Sequence, residues 1–216
     1  ILIKIMKNTY ISNLEESPEY YSQVVNLIEK SFSYKKKYRF DIDFYPLMNK
    51  KNHRNCKILI DKRNSKLIGH IGYKDRVIHV KNTSYPVTFI GGIAIAYEER
   101  GNGYFNFFFT NILSEIQKKN TFILLWSSEE NLYQKYNFFQ AGLFQQSNHR
   151  TFESQYFINH GYLKTKFKEI NDIERLQIKK LHNAEINMQF ISPKREDLHW
   201  LEIEHITSSD LYIKKI

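Results

Sequence analysis

The sequence predicts a mixed α/β domain in which a mostly antiparallel sheet is flanked by helices. Three observations predict this class: strand patterns joined by turns between residues 57 and 96, a long amphipathic helix after them, and an apolar run at Phe122–Trp126 typical of a central parallel strand. A chain of 216 residues, 42% of them hydrophobic, suits one domain or one domain with an appended piece.

A first strand and a helix are predicted ahead of the main series of strands. Residues 2–12 have a strand pattern, and Ser17-Pro18 is typical of a helix start with Ser17 as the N-cap. The helix that follows has an apolar face made of Val24, Val25, Leu27, Ile28 and Phe32. In residues 33–54 we expect a short helix around Phe44–Met48 and a mobile substrate loop.

The middle of the chain predicts neighbouring strands with hairpin-like connections. Strand patterns cover residues 57–61, Leu67–His79 and Tyr85–Ala96, and Asp61–Ser65 has the composition of a turn. The long helix is then marked by apolar residues at helical spacing, namely Phe105, Phe108, Phe109, Ile112, Leu113 and Ile116.

The remaining elements divide at about residue 165. Asn131–Tyr136 predicts a short helix and Phe138–Phe144 another strand. After residue 165 the pattern predicts helices at Glu169–Ile186 and Arg195–Ile206, and a strand that begins at Leu211-Tyr212-Ile213. We therefore predict a domain over residues 1–165 and a C-terminal helical extension over 166–216. Its last strand either pairs back onto the main sheet or starts a second domain that the chain cuts short.

Composition excludes several classes of protein. The net charge of +9 would attract nucleic acid or a polyphosphate cofactor, but the lysines are spread along the chain as on a solvated surface. The single Cys56 cannot form an intrachain disulfide, and its apolar neighbours favour a structural role. The sequence lacks Cys/His spacing typical of zinc, a signal-peptide pattern and an apolar run of about 20 residues. We therefore predict a cytoplasmic protein with neither a metal site nor a membrane span.

The most informative segment is the strand-to-helix turn from Ile93 to Tyr104. An apolar strand leads into a turn with Arg100, Gly101 and Gly103, and the long helix follows. A helix start leaves backbone N–H groups unpaired and favours negative charge, so such a turn can hold a phosphate. The alternative interpretation is a connection that needs glycine only for its backbone shape.

This turn resembles the cofactor turn of the GNAT family of acyl-CoA-dependent N-acyltransferases, Arg/Gln-x-x-Gly-x-Gly/Ala. Arg100 and Gly103 match its fixed positions, whereas Phe105 stands where the family usually has a small residue. A second family segment, Tyr-x-Lys-x-Gly-Phe, resembles Tyr133 to Phe138 about 30 residues downstream, with Asn137 in place of glycine. Asparagine tolerates the left-handed backbone that glycine serves there.

The resemblance implies the GNAT fold, with strands that splay apart at the cofactor site. It covers roughly residues 1–145. Arg195 to Trp200 and Ser127-Ser128-Glu129 are also similar to the enhanced-intracellular-survival branch of the family. The implied ligand is acetyl-CoA or another acyl-CoA. Backbone groups of Ile93 and Ile95 would contact its pantetheine arm, and its pyrophosphate would be held by Arg100, Gly101, Asn102, Gly103 and Tyr104.

The resemblance also implies a general acid, Tyr133, whose hydroxyl would protonate the departing thiolate because a phenol keeps its proton at neutral pH. An aromatic residue that only packs at the end of a short helix is the alternative. The general base is left open among Glu98, Glu99, Glu129 and His79, or a water chain.

The function implied is transfer of an acyl group from acyl-CoA to an amine of a small molecule or peptide in a ternary complex, and the expected acyl group is acetyl. Two alternatives remain at this point: a GNAT-fold binding or regulatory module without catalysis, and a basic nucleic-acid-binding protein, which the scattered lysines disfavour. A homodimer is compatible with the family.

Overall fold

A mostly antiparallel sheet organises the protein in the computed structural model, which describes residues 5, 7–80, 83–119, 122–127, 129–141, 154–188, 191–192 and 195–214. Along the sheet the strands are ordered β1 (Thr9–Asn13), β2 (Cys56–Asp61), β3 (Leu67–Val80), β4 (Thr83–Ile95) and β5 (Phe122–Leu125). Neighbouring strands are antiparallel except β4 and β5, which are parallel. The fold class predicted from the sequence is therefore confirmed.

Helices cover both faces of this sheet. They are α1 (Tyr21–Ser31), α2 (Phe40–Asp43), α3 (Tyr45–Met48), α4 (Tyr104–Gln117), α5 (Glu130–Gln134), α6 (Ser154–Asn159), α7 (Asp172–Met188) and α8 (Asp197–Glu204). Alternate residues of β2 point to opposite faces, as strand geometry requires. Ile58 and Ile60 pack with α1, and Leu59 packs with α4, so each face has its own buried core. No helix within the described ranges is long and apolar enough to cross a membrane.

The predicted apolar faces of the two long helices are largely confirmed. In α1, Val24, Val25 and Ile28 are buried, whereas Phe32 just after it is 54% exposed. All predicted residues of α4 from Phe108 to Ile116 are buried. Cys56 is completely buried, and burial raises the pKa of its thiol to about 12, which fits the predicted structural role.

The start of the chain differs from the prediction in two ways. The first strand begins at Thr9 rather than at residue 2, since residues 7 and 8 are helical and residues 1–4 and 6 lie outside the described set. Ser17 makes no capping hydrogen bond, because its hydroxyl pairs with the Ser12 hydroxyl at 2.8 Å. The free amides of Glu15 and Glu16 instead donate to Oδ1 of Asn13.

The parallel strand is confirmed, and among the described strands it lies at the edge of the sheet rather than at its centre. β5 is the last strand in the order of the described sheet, and Phe122 at its start is 47% exposed. The sequence predicts a further strand at Phe138–Phe144. Residues 138–141 are not in a strand, and 142–144 lie outside the described residues. An apolar run indicates burial, but it does not tell which strands flank it.

The C-terminal helices are confirmed with shorter bounds, because α7 begins at Asp172 and α8 covers Asp197–Glu204. The terminal strand β8 (Leu211–Ile213) does not return to the main sheet. It pairs with β6 (Leu163–Thr165) in a separate two-stranded sheet. Another short strand, β7 (Ile191–Ser192), pairs with the end of β3. The boundary at residue 165 stays a prediction.

Candidate active site

A cleft opens where β4 and β5 part. The two strands pair only between Val87–Ile90 and Phe122–Leu125, and β4 continues to Ile95 without a partner in β5. The cleft is open and has a volume of about 1120 Å³, slightly above the roughly 300–1,000 Å³ typical of ligand sites. Its wall includes the β4 segment Ile90–Ile95, the end of α1, Arg100, Phe105, Trp126, Glu129 and Tyr133.

An extra residue in β4 shapes this wall. His70 of β3 pairs with Ala94 and Gly72 pairs with Gly91, so two residues of β4 stand opposite the single Ile71 of β3. Such a β-bulge turns backbone groups out of the regular ladder of hydrogen bonds. The bulge consists of Gly92 and Ile93, and both line the cleft.

Glycine is required at the bulge for two reasons. Gly92 has a φ of +61°, which side chains disfavour. A Cβ atom there would also lie 3.2 Å from Cε1 of His70 and 3.3 Å from Cδ1 of Ile28. The Gly92 carbonyl oxygen lies 2.7 Å from Nδ1 of His70, which is completely buried. The sequence analysis missed His70, although a lone histidine inside the apolar strand Leu67–Tyr73 is a signal that marks it.

The turn before α4 has the backbone that an anion site needs. Gly101 and Gly103 have φ values of +79° and +84°, and no side chain caps the helix that begins after Gly103. A Cβ on Gly101 would meet nothing within 4 Å, so open space lies beside this backbone. The first N–H groups of a helix lack partners within the helix, and the helix dipole adds positive potential there. The arrangement fits a diphosphate.

Of the eight predicted site residues, three cofactor-binding residues and the proposed general acid lie in the cleft wall. Ile93, Ile95, Arg100 and Tyr133 line the cleft. The other four predicted residues lie outside the cleft wall: Gly101, Asn102 and Gly103 form the exposed turn that follows, and the half-buried Tyr104 is the first residue of α4. The Nδ2 of Asn102 donates to the Glu99 carbonyl at 3.4 Å, a bond within the turn itself.

Arg100 connects three parts of the site. Its Nε donates to the carbonyl oxygen of Ile95 at 3.1 Å, and one Nη donates to the Ser31 hydroxyl at 3.4 Å. The guanidinium also lies 5.5 Å from the centroid of the Tyr97 ring. A guanidinium carries five N–H donors, so these contacts use part of its capacity and leave donors for an anion. Arg100 therefore links the end of β4 to the end of α1, and it is also a candidate for binding an anion.

Tyr133 is a buried residue of α5 whose ring is held by aromatic neighbours. The rings of Phe105, Phe109 and Phe138 lie edge-on to it at 5.6–6.2 Å between centroids. Burial raises the pKa of the Tyr133 phenol, a nearby charge on Glu129 adds to the rise, and a hydrogen bond with Ser127 opposes it. The phenol therefore keeps its proton at neutral pH, as a general acid must.

Phe105 occupies the place where the family usually has a small residue, and it lines the cleft. Its ring stacks on Phe109 with 5.1 Å between centroids and contacts the edges of Tyr133 and Tyr136. The large side chain is thus absorbed into an aromatic cluster between α4 and α5. The same cluster fixes the position of Tyr133.

Among the residues considered as a general base, Glu129 lines the cleft. Glu98 and Glu99 both pair with Lys66, at 3.0 and 3.1 Å. His79 pairs with the Ser84 hydroxyl at the far end of the hairpin, eight residues along β3 from Ile71, which stands opposite the bulge, and thus about 26 Å away. In the described part of the chain, no group of three or more potential ligands is placed to hold a metal.

The second family motif has the predicted backbone. Asn137 adopts a φ of +62° just after α5, as expected for a residue in the place of glycine. The Tyr133 carbonyl accepts hydrogen bonds from the amides of Tyr136 and Phe138, which closes the end of the helix. This supports the alignment of Tyr133 with the tyrosine of the family segment.

Comparisons with solved structures agree with this architecture. An acetyltransferase from Trypanosoma brucei, 15% identical, has a TM-score of 0.50 over 65% of this chain and 99% of its own. N-myristoyltransferase from Saccharomyces cerevisiae with bound myristoyl-CoA, 13% identical, has a TM-score of 0.59 over 92% of this chain. A probable N-acyltransferase from Enterococcus faecalis is 14% identical with a TM-score of 0.47 over 59% of this chain. The matches span 52% of the myristoyltransferase chain and 31% of the Enterococcus chain.

At these identities the structural likeness concerns the fold alone. A comparison with curated proteins found no significant match. A family model described as an acetyltransferase (GNAT) domain matches residues 15–141, more than half of the chain and the whole of the cleft described above. The chain belongs to the GNAT acetyltransferase family.

Proposed function

We propose that this protein transfers an acyl group from acyl-CoA to an amine of a small molecule or peptide, with acetyl as the preferred acyl group. The amine attacks the thioester directly in a ternary complex. One observation carries the proposal: a single cleft is lined by the end of β4 that has no β5 partner, by Arg100 and Phe105 on either side of the turn before α4, and by Tyr133. These parts of the cleft would contact the pantetheine arm, the diphosphate and the thioester sulfur of acyl-CoA, respectively.

The residues present fit this donor. The open space beside Gly101 and the uncapped helix after Gly103 suit the diphosphate, and Arg100 adds a charge next to them. β4 beyond Ile90 has no β5 partner, so its backbone groups around Ile93 and Ile95 suit the amides of the pantetheine arm. The Ile95 carbonyl accepts from Arg100, which leaves its second lone pair for a ligand. When bound, acyl-CoA supplies the acyl group as an activated thioester.

Protons are handled by residues of the cleft. A neutral amine bonds to the acyl carbon as the carbon–sulfur bond breaks, and Tyr133 gives its Oη proton to the departing sulfur. The amine loses its own proton to Glu129 or to water, and that proton restores the phenol. An N–H donor must face the acyl oxygen as negative charge develops on it, and we assign this role to the bulge at Gly92 and Ile93, which lines the cleft.

The second candidate is a GNAT-fold binding module without catalysis. Phe105 favours it, because a large ring lines the cleft next to the diphosphate turn, where the family usually has a small residue. This module would bind acetyl-CoA and release no thiol with any amine. Location in the cytoplasm, a homodimer and membership of the enhanced-intracellular-survival branch stay predictions.

Calorimetry with acetyl-CoA tests the donor site. We expect acetyl-CoA to bind the wild type. In Arg100→Glu the affinity should fall about tenfold or more, since the positive side chain next to the diphosphate becomes negative. Lys118→Glu is the matched control, because it makes the same change of charge at the opposite end of α4, about 21 Å from the start of that helix. Thiol release with a panel of amines then separates the enzyme from the module. A wild type that does not bind acetyl-CoA contradicts both.

A further inference from the structure

His70 is the buried titratable group whose place in the site needs explanation. It lies in β3 between Ile68 and Ile71, completely buried on the face that α1 covers. Its Nδ1 lies 2.7 Å from the Gly92 carbonyl oxygen. Its other ring nitrogen, Nε2, is buried and has no hydrogen-bond partner among the described residues.

The contact between Nδ1 and the Gly92 carbonyl determines the tautomer. A carbonyl oxygen can only accept a hydrogen bond, so Nδ1 carries the proton and Nε2 is bare. Burial lowers the pKa of His70 to about 4, and the ring is therefore neutral at physiological pH. An apolar side chain would fill the same core without leaving Nε2 unpaired. What histidine adds at this position is one N–H donor aimed at Gly92.

The target of that donor is the peptide at the centre of the bulge. The peptide between Gly92 and Ile93 is planar and trans, as all peptide bonds described here are. The Ile93 N–H therefore points in the opposite direction to the Gly92 carbonyl, within the same plane. A bond that fixes the carbonyl thus fixes the direction of the N–H, and Ile93 lines the cleft.

We propose that His70 is a positioning residue: its hydrogen bond to the Gly92 carbonyl holds the bulge peptide in one orientation, so that the Ile93 N–H faces the acyl oxygen of the bound thioester. The inference rests on the proposed acyl-CoA function. Gly92 supports it, because glycine adopts the left-handed backbone there more readily than any other residue, and a Cβ would press on the His70 ring. Both residues are thus suited to one geometry of the bulge.

The first test needs no variant. A long-range ¹H–¹⁵N spectrum of the wild type should show a protonated Nδ1 and an unprotonated Nε2 for His70. The opposite tautomer overturns the inference, since such a ring has no proton to donate to Gly92.

The second test reads the acyl oxygen directly. Infrared difference spectra of acetyl-CoA labelled with ¹³C at the thioester carbonyl should show a lowered stretch frequency on the wild type relative to solution. His70→Leu keeps the apolar volume without the donor and should lose most of this shift with CoA affinity unchanged. His70→Asn, whose side-chain amide can donate in place of Nδ1, should retain it.

Ile28→Val is the packing control, because Ile28 contacts the same glycine position and has no donor. If folded His70→Leu still lowers the stretch frequency as the wild type does, or if Ile28→Val loses the lowering equally, the positioning role of His70 is overturned. The proposed acyl-CoA function is unaffected by either result. A wild type that binds CoA and acetyl-CoA with no lowering of the stretch frequency also overturns it. A wild type that binds neither ligand overturns the proposed function, and the tautomer spectrum still tells whether the bond to Gly92 exists.

Discussion

The carboxylate of Glu202 in α8 lies 2.7 Å from Nζ of Lys74 in β3. Its second oxygen lies 2.7 Å from Nη2 of Arg76, two residues further along the same strand. Glu202 is only 7% exposed, and Lys74 and Arg76 are also largely covered. The C-terminal segment is therefore attached to the main sheet by a buried acid that bridges two bases.

Replacing this acid should destabilise the fold. In Glu202→Gln the two cations keep their positions but lose the charge that compensates them, and we expect the free energy of unfolding to fall by roughly 2 kcal/mol. Urea denaturation measures the change. Asp197→Asn is the control, because Asp197 pairs with Lys179 but its side chain is 90% exposed. Its effect should stay below about 1 kcal/mol. Equal losses in both variants would contradict a special role for the buried pair.

Two glycines with the same backbone separate ligand binding from strain. Gly101 and Gly161 both have a φ of +79°, and neither has a close neighbour where a Cβ would stand. Gly101→Ala and Gly161→Ala should each lose about 1 kcal/mol of stability. Only Gly101→Ala should also weaken acetyl-CoA binding, by about tenfold, because its methyl group occupies the space beside the helix start. Calorimetry checks this, and equal affinity in the two variants would count against the diphosphate site.

Tyr133 and Tyr136 offer a matched pair for the proton donor. Both belong to the aromatic cluster around Phe109, but Tyr136 donates its hydroxyl to Asn106 outside the cleft wall. Tyr133→Phe should lower the rate of thiol release about 100-fold or more with acetyl-CoA affinity unchanged. Tyr136→Phe should behave as the wild type. If Tyr133→Phe turns over at the normal rate, the general acid is another group.

The buried His70 predicts a specific dependence of stability on pH. Its pKa falls from 6.5 to about 4 on folding, so the unfolded chain binds more protons between these values. Protonation of His70 therefore costs no stability above about pH 6.5. As the pH falls toward 4, this residue lowers the free energy of unfolding by about 3 kcal/mol in total.

The measurement is urea denaturation at several pH values in the wild type and in His70→Asn. The variant should show a shallower loss of stability below pH 6.5. His182 and His199 also have lowered pKa values through burial, so part of the slope remains in both proteins. Identical slopes in the two proteins would mean that His70 is accessible to protons in the folded state.

Local patterns predicted most of the elements that build the site. The apolar spacing of α4 gave its buried face, and the glycines before it marked a turn with left-handed backbone. Asn137 was expected to replace a glycine, and its φ of +62° agrees. Each of these features depends on a few consecutive residues, and their physics is contained in the sequence.

Features that depend on contacts between distant segments were missed. The position of β5, the pairing of β8 with β6 and the burial of Glu202 against β3 all depend on distant partners that a short pattern does not identify. The role of His70 was missed for a related reason. A histidine in an apolar strand shows only that something polar is buried, whereas its partner Gly92 lies 22 residues away.

The placement of the two tryptophans gives the cleft an optical reporter. Trp126 follows β5 in the cleft wall and is 79% exposed, whereas Trp200 in α8 is 5% exposed. A small aqueous quencher added to the folded protein should reach one indole and spare the other. Shielding of that fluorescence by a compound would show that the compound occupies the cleft, so candidate acceptors can be screened before any reaction is known.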